Sequence, residues 1–259
     1  MKKKKIVLII CIILITIQMF MTFIIKIDIE KYTVKNAKIP EAFNNFKIVQ
    51  LSDFHSKGYR NTTEKIISKI KKINPDIIVM TGDMVSYDMT GREEFEKLVK
   101  ELSKIYPIYY IDGNHEHLAE KLTPGEYLFL MEFLKELGVI TIKNDYVEIY
   151  KTNESINLYG VNIPLDWPSG IYVNKLQLES DYVEKTLPKI DTDKFNILLA
   201  HNPIFINQYI KWGADLVLAG HMHGGIVRIP FTNIGLLSPE RKIFPRYTAG
   251  KFKIKNSVM

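Results

Sequence analysis

All six histidines of the chain stand in short polar segments that directly follow apolar runs. The same segments contain Asp and Asn residues, and together they offer eight side chains of the kinds that bind metals. These side chains are Asp53, His55, Asp83, Asn114, His115, His201, His221 and His223. Carboxylate, imidazole and amide groups without sulfur favour borderline-hard divalent ions such as Mn, Fe, Zn, Co or Ni. The residue types therefore predict a metal site, with the identity of the ion left open.

Each segment has an ordinary interpretation when it is taken alone. Residues 81–83 are typical of a turn, and a lone His201 ahead of Pro203 is more often a capping or core residue. His221 and His223 are a stronger signal, because residues two apart on an extended chain face the same side. Burying several imidazoles and carboxylates together without a cation would be unfavourable. Eight donors exceed the needs of one catalytic ion and fit two ions that share a carboxylate, roughly 3.5–4 Å apart.

The apolar runs alternate with amphipathic stretches, which predicts an α/β fold. Strands are predicted at 46–51, 76–80, 107–111, 139–142, 146–150, 156–161, 195–200 and 216–219, and helices at 61–73, 92–104, 125–137, 175–187 and 203–212. Asn61 and Glu64 resemble a capping box for the first helix, and residues 139–161 resemble a separate, more antiparallel set of strands. In open α/β sheets, ligand sites form beyond the carboxyl ends of the strands, so the five polar segments are expected to meet at one rim.

Composition excludes several other classes of protein. Hydrophobic residues make up 46% and charged residues 25% of the chain, as in ordinary globular proteins. The formal net charge is +6, but Lys2–Lys5 supply four of these charges, and the remaining +2 argues against nucleic acid as a partner. The single cysteine, Cys11, excludes an intramolecular disulfide and a thiolate metal cage.

The N-terminal region predicts a membrane anchor. Ile6–Ile25 is a run of twenty residues without a charge, and a helix of that length reaches roughly 30 Å, the thickness of the hydrocarbon core. Lys2–Lys5 lie directly before it and favour a cytoplasmic N-terminus. We therefore expect a single-pass protein of the cell membrane with its catalytic domain outside the cytoplasm. The expected organisation is an anchor at 1–27, a connector at 28–45 and a catalytic domain at 46–259.

The order Asp-x-His, Gly-Asp, Gly-Asn-His, His, Gly-His-x-His resembles the calcineurin-like metallophosphoesterases, from about Lys47 to Arg246. The similarity is greatest to a membrane-associated bacterial branch, whose last block reads Gly-His-Thr-His-Gly-Gly-Gln and continues through an Arg, a Pro and a Lys-Tyr-x-x-Gly. The corresponding residues here are Gly220–Gly225, Arg228, Pro230 and Arg246–Gly250. Two features differ: Ile226 replaces the Gln, and the family continues for further strands where this chain ends at Met259.

The resemblance implies a four-layer αββα sandwich of two mixed sheets with a dinuclear site at the strand ends. It implies one ion held by Asp53, His55, Asp83 and His223, and a second held by Asp83, Asn114, His201 and His221, with Asp83 bridging. His115 would stand beside the ions and stabilise substrate charge or donate a proton. The alternative role for His115 is to orient Asp112 or Asn114, and His117 is interpreted as a solvated turn residue.

The function expected on this basis is hydrolysis of a phosphate ester, either a diester or a monoester, by a hydroxide that bridges two divalent ions. The substrate is expected among lipid-linked or envelope phosphoesters because of the membrane anchor. Arg228 and Arg246 are weaker candidates for contact with the substrate phosphate. The alternative is a membrane-tethered binding protein of the same fold that does not turn over substrate.

Overall fold

The computed structural model describes Thr16 and residues 27–55, 61–163, 178–229, 232, 234–239 and 241–259. Apart from Thr16, the predicted membrane segment Ile6–Ile25 lies outside these residues. Among the residues that are described, no helix combines the length and the apolar character needed to cross a bilayer.

The described elements alternate in the way that the apolar pattern predicts. The helices are α1 (Thr62–Ile73), α2 (Arg92–Leu102), α3 (Asn114–Leu122), α4 (Pro124–Glu136), α5 (Tyr182–Thr186) and α6 (Ile206–Trp212). The longer strands are β1 (Ile48–Leu51), β2 (Ile77–Thr81), β3 (Ile108–Ile111), β5 (Asp145–Lys151), β6 (Glu154–Val161), β7 (Asn196–Ala200) and β8 (Leu216–Ala219). The short strands are β4 (Ile140–Thr141), β9 (Val227–Arg228), β10 (Gly235–Leu237), β11 (Lys253–Ile254) and β12 (Ser257–Val258).

The first sheet has the order β1-β2-β3-β4, and all its described pairings are parallel. β2 and β3 are runs of β-branched and aromatic residues that are buried along their whole length, as expected for strands covered on both faces. Helices α1 to α4 cover the outer face, where their apolar stripes pack around Ile78, Met80 and Tyr110. The parallel arrangement brings the carboxyl ends of β1, β2 and β3 to the same edge.

The second sheet has the order β11-β12-β8-β7-β6-β5 and is mixed. Its centre, β6-β7-β8, is parallel, whereas β5 pairs antiparallel with β6 and β11 with β12. Helices α5 and α6 pack on the outer face against Tyr159, Leu198 and Val217. The inner faces of the two sheets share a third core, which contains Val79 and Leu199. The three cores separate four layers, two of helices and two of sheet.

Residues 34–46 are packed onto the domain. Val34, Ile39 and Phe43 contact the core between the two sheets. The Lys38 ammonium lies 3.1 Å from the Asp215 carboxylate. The connector predicted at 28–45 therefore includes a part that is built into the fold.

Three expectations about the elements were wrong. β4 was assigned to the antiparallel set, but it pairs parallel with β3 in the first sheet. Asn61 does not cap α1 through its side chain, because its backbone is left-handed with φ 63° and only its carbonyl accepts a bond, from Lys65 N. Residues 114–122 form helix α3, although the segment that ends at His117 was expected to be a turn. The helix expected at 175–187 is shorter than predicted: it is described as Tyr182–Thr186, residues 178–181 are not helical, and residues 164–177 lie outside the described part.

Candidate metal centre

The five polar segments meet where the carboxyl edges of the two sheets adjoin. β1, β2 and β3 lead into the segments that carry Asp53, Asp83 and Asn114, and β7 and β8 lead into those that carry His201 and His221. Bonds between the sheets fix the meeting point: the His201 imidazole lies 2.8 Å from the Thr81 carbonyl, and His221 N–H donates to both oxygens of Asp53.

Asp53, His55, Asp83 and His223 form the first group of donors, and one donor atom from each lies within 4.8 Å of the others. His55 Nε2 is 3.8 Å from Asp83 Oδ2, and His223 Nε2 is 3.6 Å from Asp53 Oδ1. The rings of His55 and His223 are stacked with their centres 5.1 Å apart. These are the four residues that the family resemblance assigns to one ion.

Asp83, His201 and His221 form a second group within the same 4.8 Å limit. His201 Nε2 lies 3.2 Å from Asp83 Oδ2 and 3.2 Å from His221 Nδ1. Asn114 Oδ1 is 3.0 Å from the same His201 nitrogen. Asp83 belongs to both groups, so all seven residues predicted as ligands converge on two adjoining sets of atoms.

The atoms around His201 fit a cation. A carbonyl oxygen only accepts, so the contact with Thr81 places a proton on His201 Nδ1 and turns Nε2 towards the site. There Nε2 faces two oxygen acceptors, Asp83 Oδ2 and Asn114 Oδ1, an arrangement that requires either a proton or a metal ion. Burial alone would lower the pKa of His201, but the charge of Asp83 raises it to about 10. The donor set therefore fits a borderline-hard divalent ion, as its oxygen and imidazole chemistry predicts.

His115 is oriented towards the site by a hydrogen bond from the backbone of Tyr87. Its Nδ1 accepts the N–H of Tyr87 at 3.1 Å, so the neutral ring carries its proton on Nε2. That nitrogen lies 3.9 Å from Asp83 Oδ2, beside both donor groups. Burial lowers the pKa of His115, which favours this neutral form. The backbone N–H of His115 also donates to Asp83 Oδ1 at 2.8 Å.

The segment after β3 needs one correction. Asn114 is the first residue of α3, so the side chains of Asn114 and His115 both reach the site from the first turn of a helix. His117 was interpreted as a solvated turn residue, but it lies within α3 and is only 8% exposed. It belongs to neither donor group.

Glu116 is a functional residue that the sequence argument missed. Its carboxylate is fully buried and accepts four backbone N–H groups, from Asp83 at 2.8 Å, Met84 at 2.7 Å, Val85 at 3.3 Å and Gly113 at 2.8 Å. It thereby joins the segment after β2 to the segment after β3. A signal for it exists in the sequence: Glu116 lies three residues after Gly113, the residue that precedes α3. A Glu at that position is half of a capping box.

The ligand segments have an unusual backbone. Five of the seven predicted ligands have a left-handed φ: Asp53 at 53°, His55 at 46°, Asp83 at 52°, His221 at 69° and His223 at 52°. This region is sparsely populated by residues other than Gly, although Asp and His enter it more readily than most. Strained backbone of this kind clusters at functional sites.

The remaining candidates are exposed residues of the segment that follows the last metal ligands. Ile226, at the position of the family's Gln, is exposed. The side chain of Arg228 donates to the Thr232 carbonyl at 3.1 Å, and a Cβ built on Gly224 would lie 3.6 Å from its guanidinium. Arg246 is also exposed.

Comparison with known proteins agrees with the geometry. A family model described as calcineurin-like phosphoesterase matches residues 46–225. An uncharacterized metallophosphoesterase of Aquifex aeolicus is 29% identical over 232 residues, which span 87% of this chain and 81% of that protein. The uncharacterized metallophosphoesterase YkuE of Bacillus subtilis is 28% identical over 231 residues, covering 88% of this chain and 74% of YkuE. A Danio rerio protein described as a transmembrane protein with metallophosphoesterase domain is 27% identical over 210 residues, covering 77% of this chain and 45% of that protein.

The matched region contains every segment of the metal centre and extends over more than half of the chain. The chain therefore belongs to the calcineurin-like phosphoesterase family and is a metal-dependent phosphoester hydrolase.

Proposed function

We propose that the protein hydrolyses phosphate esters at a centre that binds two divalent ions. The observation that carries this proposal is the position of Asp83, whose buried carboxylate belongs to both donor groups. One ion would be held by Asp53, His55, Asp83 and His223, and the other by Asp83, Asn114, His201 and His221. When bound, such ions lower the pKa of water and neutralise charge on phosphoryl oxygens.

The protein's own residues prepare the centre for this chemistry. Thr81 accepts from His201 Nδ1 and so turns Nε2 towards the donor groups, where it would bind an ion, which is the usual role of a carbonyl behind a histidine ligand. Asp53 accepts the backbone N–H of His221, which couples a ligand of the first group to a ligand of the second. Burial of Asp83, His201 and His221 excludes bulk water and strengthens electrostatic interactions at the phosphate.

His115 is the proposed proton donor. Its Nε2 carries a proton because Nδ1 accepts from Tyr87 N–H, and Nε2 faces the donor groups without belonging to either. In a phosphoester bound there, this nitrogen would donate to the departing alkoxide oxygen and complete its protonation.

The test uses the full chain in phospholipid nanodiscs, stripped with a chelator and reloaded with Mn or Zn. Bis(p-nitrophenyl) phosphate should be hydrolysed only by the reloaded protein, and elemental analysis should approach two ions per chain. Asp83→Asn should lose both ions, whereas Asp88→Asn, which changes an exposed carboxylate outside the donor groups, should retain them. Full metal content in Asp83→Asn would overturn the shared-carboxylate assignment.

We also propose that Ile6–Ile25 spans the cell membrane and places residues 46–259 outside the cytoplasm. The support is the uncharged run of twenty residues preceded by four lysines. A relative is also described as a transmembrane protein. Protease added to intact protoplasts should digest the domain. Digestion only after lysis would reverse the orientation.

The proposed substrates are phosphoesters carried by membrane lipids or by the cell envelope. This class follows from the proposed anchor, which would restrict the site to substrates near a bilayer. A screen of the metal-loaded protein against phosphomonoesters, phosphodiesters and nucleoside diphosphate conjugates would identify the preferred group.

A further inference from the structure

A small three-stranded ribbon lies directly after the last metal ligands. β9 pairs antiparallel with β10, and the segment around Ile243 continues the pairing through a bridge to Leu237 and a bond from Phe244 N–H to the Leu236 carbonyl. The first strand of the ribbon begins four residues after His223, so the ribbon starts close to the metal centre.

The ribbon exposes large apolar side chains. Six of them, each between 36% and 71% exposed, are Ile226, Val227, Ile234, Leu236, Ile243 and Phe244; we call this set the apolar ribbon. Isolated exposed apolar residues are ordinary, but these six lie within residues 226–244, and such a concentration is typical of a surface that contacts a partner.

The positive charge of the chain is concentrated in the same region. Residues 226–259 contain seven basic residues and one acidic residue, whereas residues 6–225 carry a formal net charge of −4. Arg241, Lys242 and Arg246 are exposed beside the apolar ribbon. Apolar side chains bordered by basic ones are the combination that binds the surface of an anionic bilayer.

A second exposed apolar group shows the contrast. Leu128 and Phe129 on α4 are also exposed, but residues 124–136 carry three acidic residues and one basic residue. This helix lacks the excess of basic residues that attracts an anionic bilayer, so charge distinguishes the two surfaces.

The path of the chain also supports a membrane contact at this surface. Lys251, in the basic C-terminal region, donates to the carbonyl of Thr33. Thr33 follows the uncharged run Ile6–Ile25 by eight residues. The described chain that follows the uncharged run therefore contacts the domain at its basic C-terminal region. The ring of Tyr247 packs edge-on against Phe252 with centres 5.1 Å apart, which joins the ribbon's continuation to the same region.

We propose that the apolar ribbon docks on the surface of an anionic phospholipid bilayer and holds the metal centre at the level of the lipid headgroups. This inference rests on the membrane attachment proposed above. It assigns residues 226–244 a role in binding the bilayer that is separate from the chemistry at the ligands.

The test measures contact with lipid without using turnover. In the full chain with Cys11→Ser, a bimane fluorophore is attached through Ile243→Cys, or through Leu128→Cys as the matched control on α4. The proteins are reconstituted in vesicles of phosphatidylcholine and phosphatidylglycerol with and without brominated acyl chains. We expect brominated lipid to quench position 243 several-fold more than position 128, and aqueous iodide to show the reverse order. Circular dichroism verifies that both labelled proteins are folded.

The charge requirement is tested in the same vesicles. A basic side chain near an anionic surface strengthens binding by about fivefold, so Arg241→Gln with Lys242→Gln should reduce lipid quenching at position 243. Replacing phosphatidylglycerol with phosphatidylcholine should reduce it as well.

Three results would overturn the proposal. Equal quenching of both positions by iodide would show that the apolar ribbon stays in water. Protection of position 243 from iodide without quenching by brominated lipid would show that a polypeptide, such as a second copy of the chain, covers it. Failure of the full chain to float with the vesicles would rule out the membrane attachment on which the proposal rests. None of these results depends on hydrolysis of bis(p-nitrophenyl) phosphate, so failure of docking and failure of the proposed chemistry are distinguishable.

Discussion

At the scale of single residues, the centre depends on backbone conformations that the surrounding structure must enforce. A non-Gly residue in a sparsely populated region costs of the order of 1–3 kcal/mol, and five ligands have left-handed φ values. Glu116 stabilises one of these segments directly, because it accepts the N–H groups of Asp83 and its two successors. The geometry of the ligands therefore depends on a carboxylate that does not face the metal groups.

Glu116→Gln tests this dependence. One oxygen becomes an NH₂ group that cannot accept, so at least one pair of buried N–H groups loses its partner. Residues behind metal ligands typically contribute 10–100-fold to metal affinity or activity, and we expect a loss of about that size in Mn affinity and in kcat. The control is Glu120→Gln, on the exposed side of the same helix, which should leave both unchanged. Equal metal affinity in Glu116→Gln and the parent would contradict the positioning role.

His115→Asn separates proton donation from metal binding. We expect metal content near that of the parent and a fall in kcat of about 10²–10⁴-fold, the range of a general acid. The loss should be smaller for p-nitrophenyl esters, because p-nitrophenolate leaves without protonation. His117→Asn, two residues further along α3 and outside both donor groups, should retain the parent kcat. An equal loss of rate for good and poor leaving groups would exclude proton donation by His115.

At the scale of elements, the apolar runs were sufficient to predict most strands and helices and the convergence of the ligands. The apolar runs were insufficient where hydrophobic periodicity does not specify strand pairing or reveal a helix. A short apolar run such as Ile140–Thr141 does not specify its pairing partner, so β4 was assigned to the wrong sheet. Helix α3 was missed because its buried residues include Asn114, Glu116 and His117, which gives no apolar stripe. The left-handed backbone of five ligands could not be predicted either, because the packing of the loops determines φ at these residues.

Gly113→Ala tests how closely the segments after β2 and β3 must approach. A Cβ at Gly113 would lie 2.3 Å from Asp83 Oδ1 and 2.5 Å from Asp83 N, so the shared ligand would have to move. Misplacement of about 1 Å can reduce turnover by about 10²-fold, and we expect a loss of that size together with weaker Mn binding by titration. Gly125→Ala is the matched control, because nothing lies within 4 Å of the added carbon and α4 should become more stable by about 0.4–1 kcal/mol. Parent-like Mn affinity in Gly113→Ala would contradict the close approach.

At the scale of the whole molecule, the centre connects the two sheets. Gln50 on β1 donates to Thr81 Oγ1 and to the Ala219 carbonyl, each at 2.9 Å, and the donor groups draw on both sheets. A bound ion would therefore stabilise the packing of one sheet against the other, which links metal binding to folding.

Removal of metal should accordingly lower the melting temperature. An ion at a hundred times its Kd stabilises the native state by about 2.7 kcal/mol, and each kcal/mol is worth about 2–4 °C in a domain of 150–250 residues. We expect chelation to lower Tm by roughly 5–10 °C and added Mn to restore it, as measured by circular dichroism on the full chain. Asp83→Asn should show no response to Mn. A Tm independent of chelator in the parent would show that the sheets pack without help from the ions.

The packing of residues 34–46 limits how the domain can turn. Phe43 is inserted into the core between the sheets and Lys38 is paired with Asp215. This part of the chain is therefore fixed to the domain, and only a short part of the connector can bend. The fold then sets the orientation of the catalytic cleft relative to residue 33, and the domain can rotate only about the residues that precede it. If residues 6–25 anchor the domain as proposed, the cleft would stay at a nearly constant height above the bilayer. A few residues inserted near position 30 would then change which phosphoesters it can reach, while the cleft itself would stay unchanged.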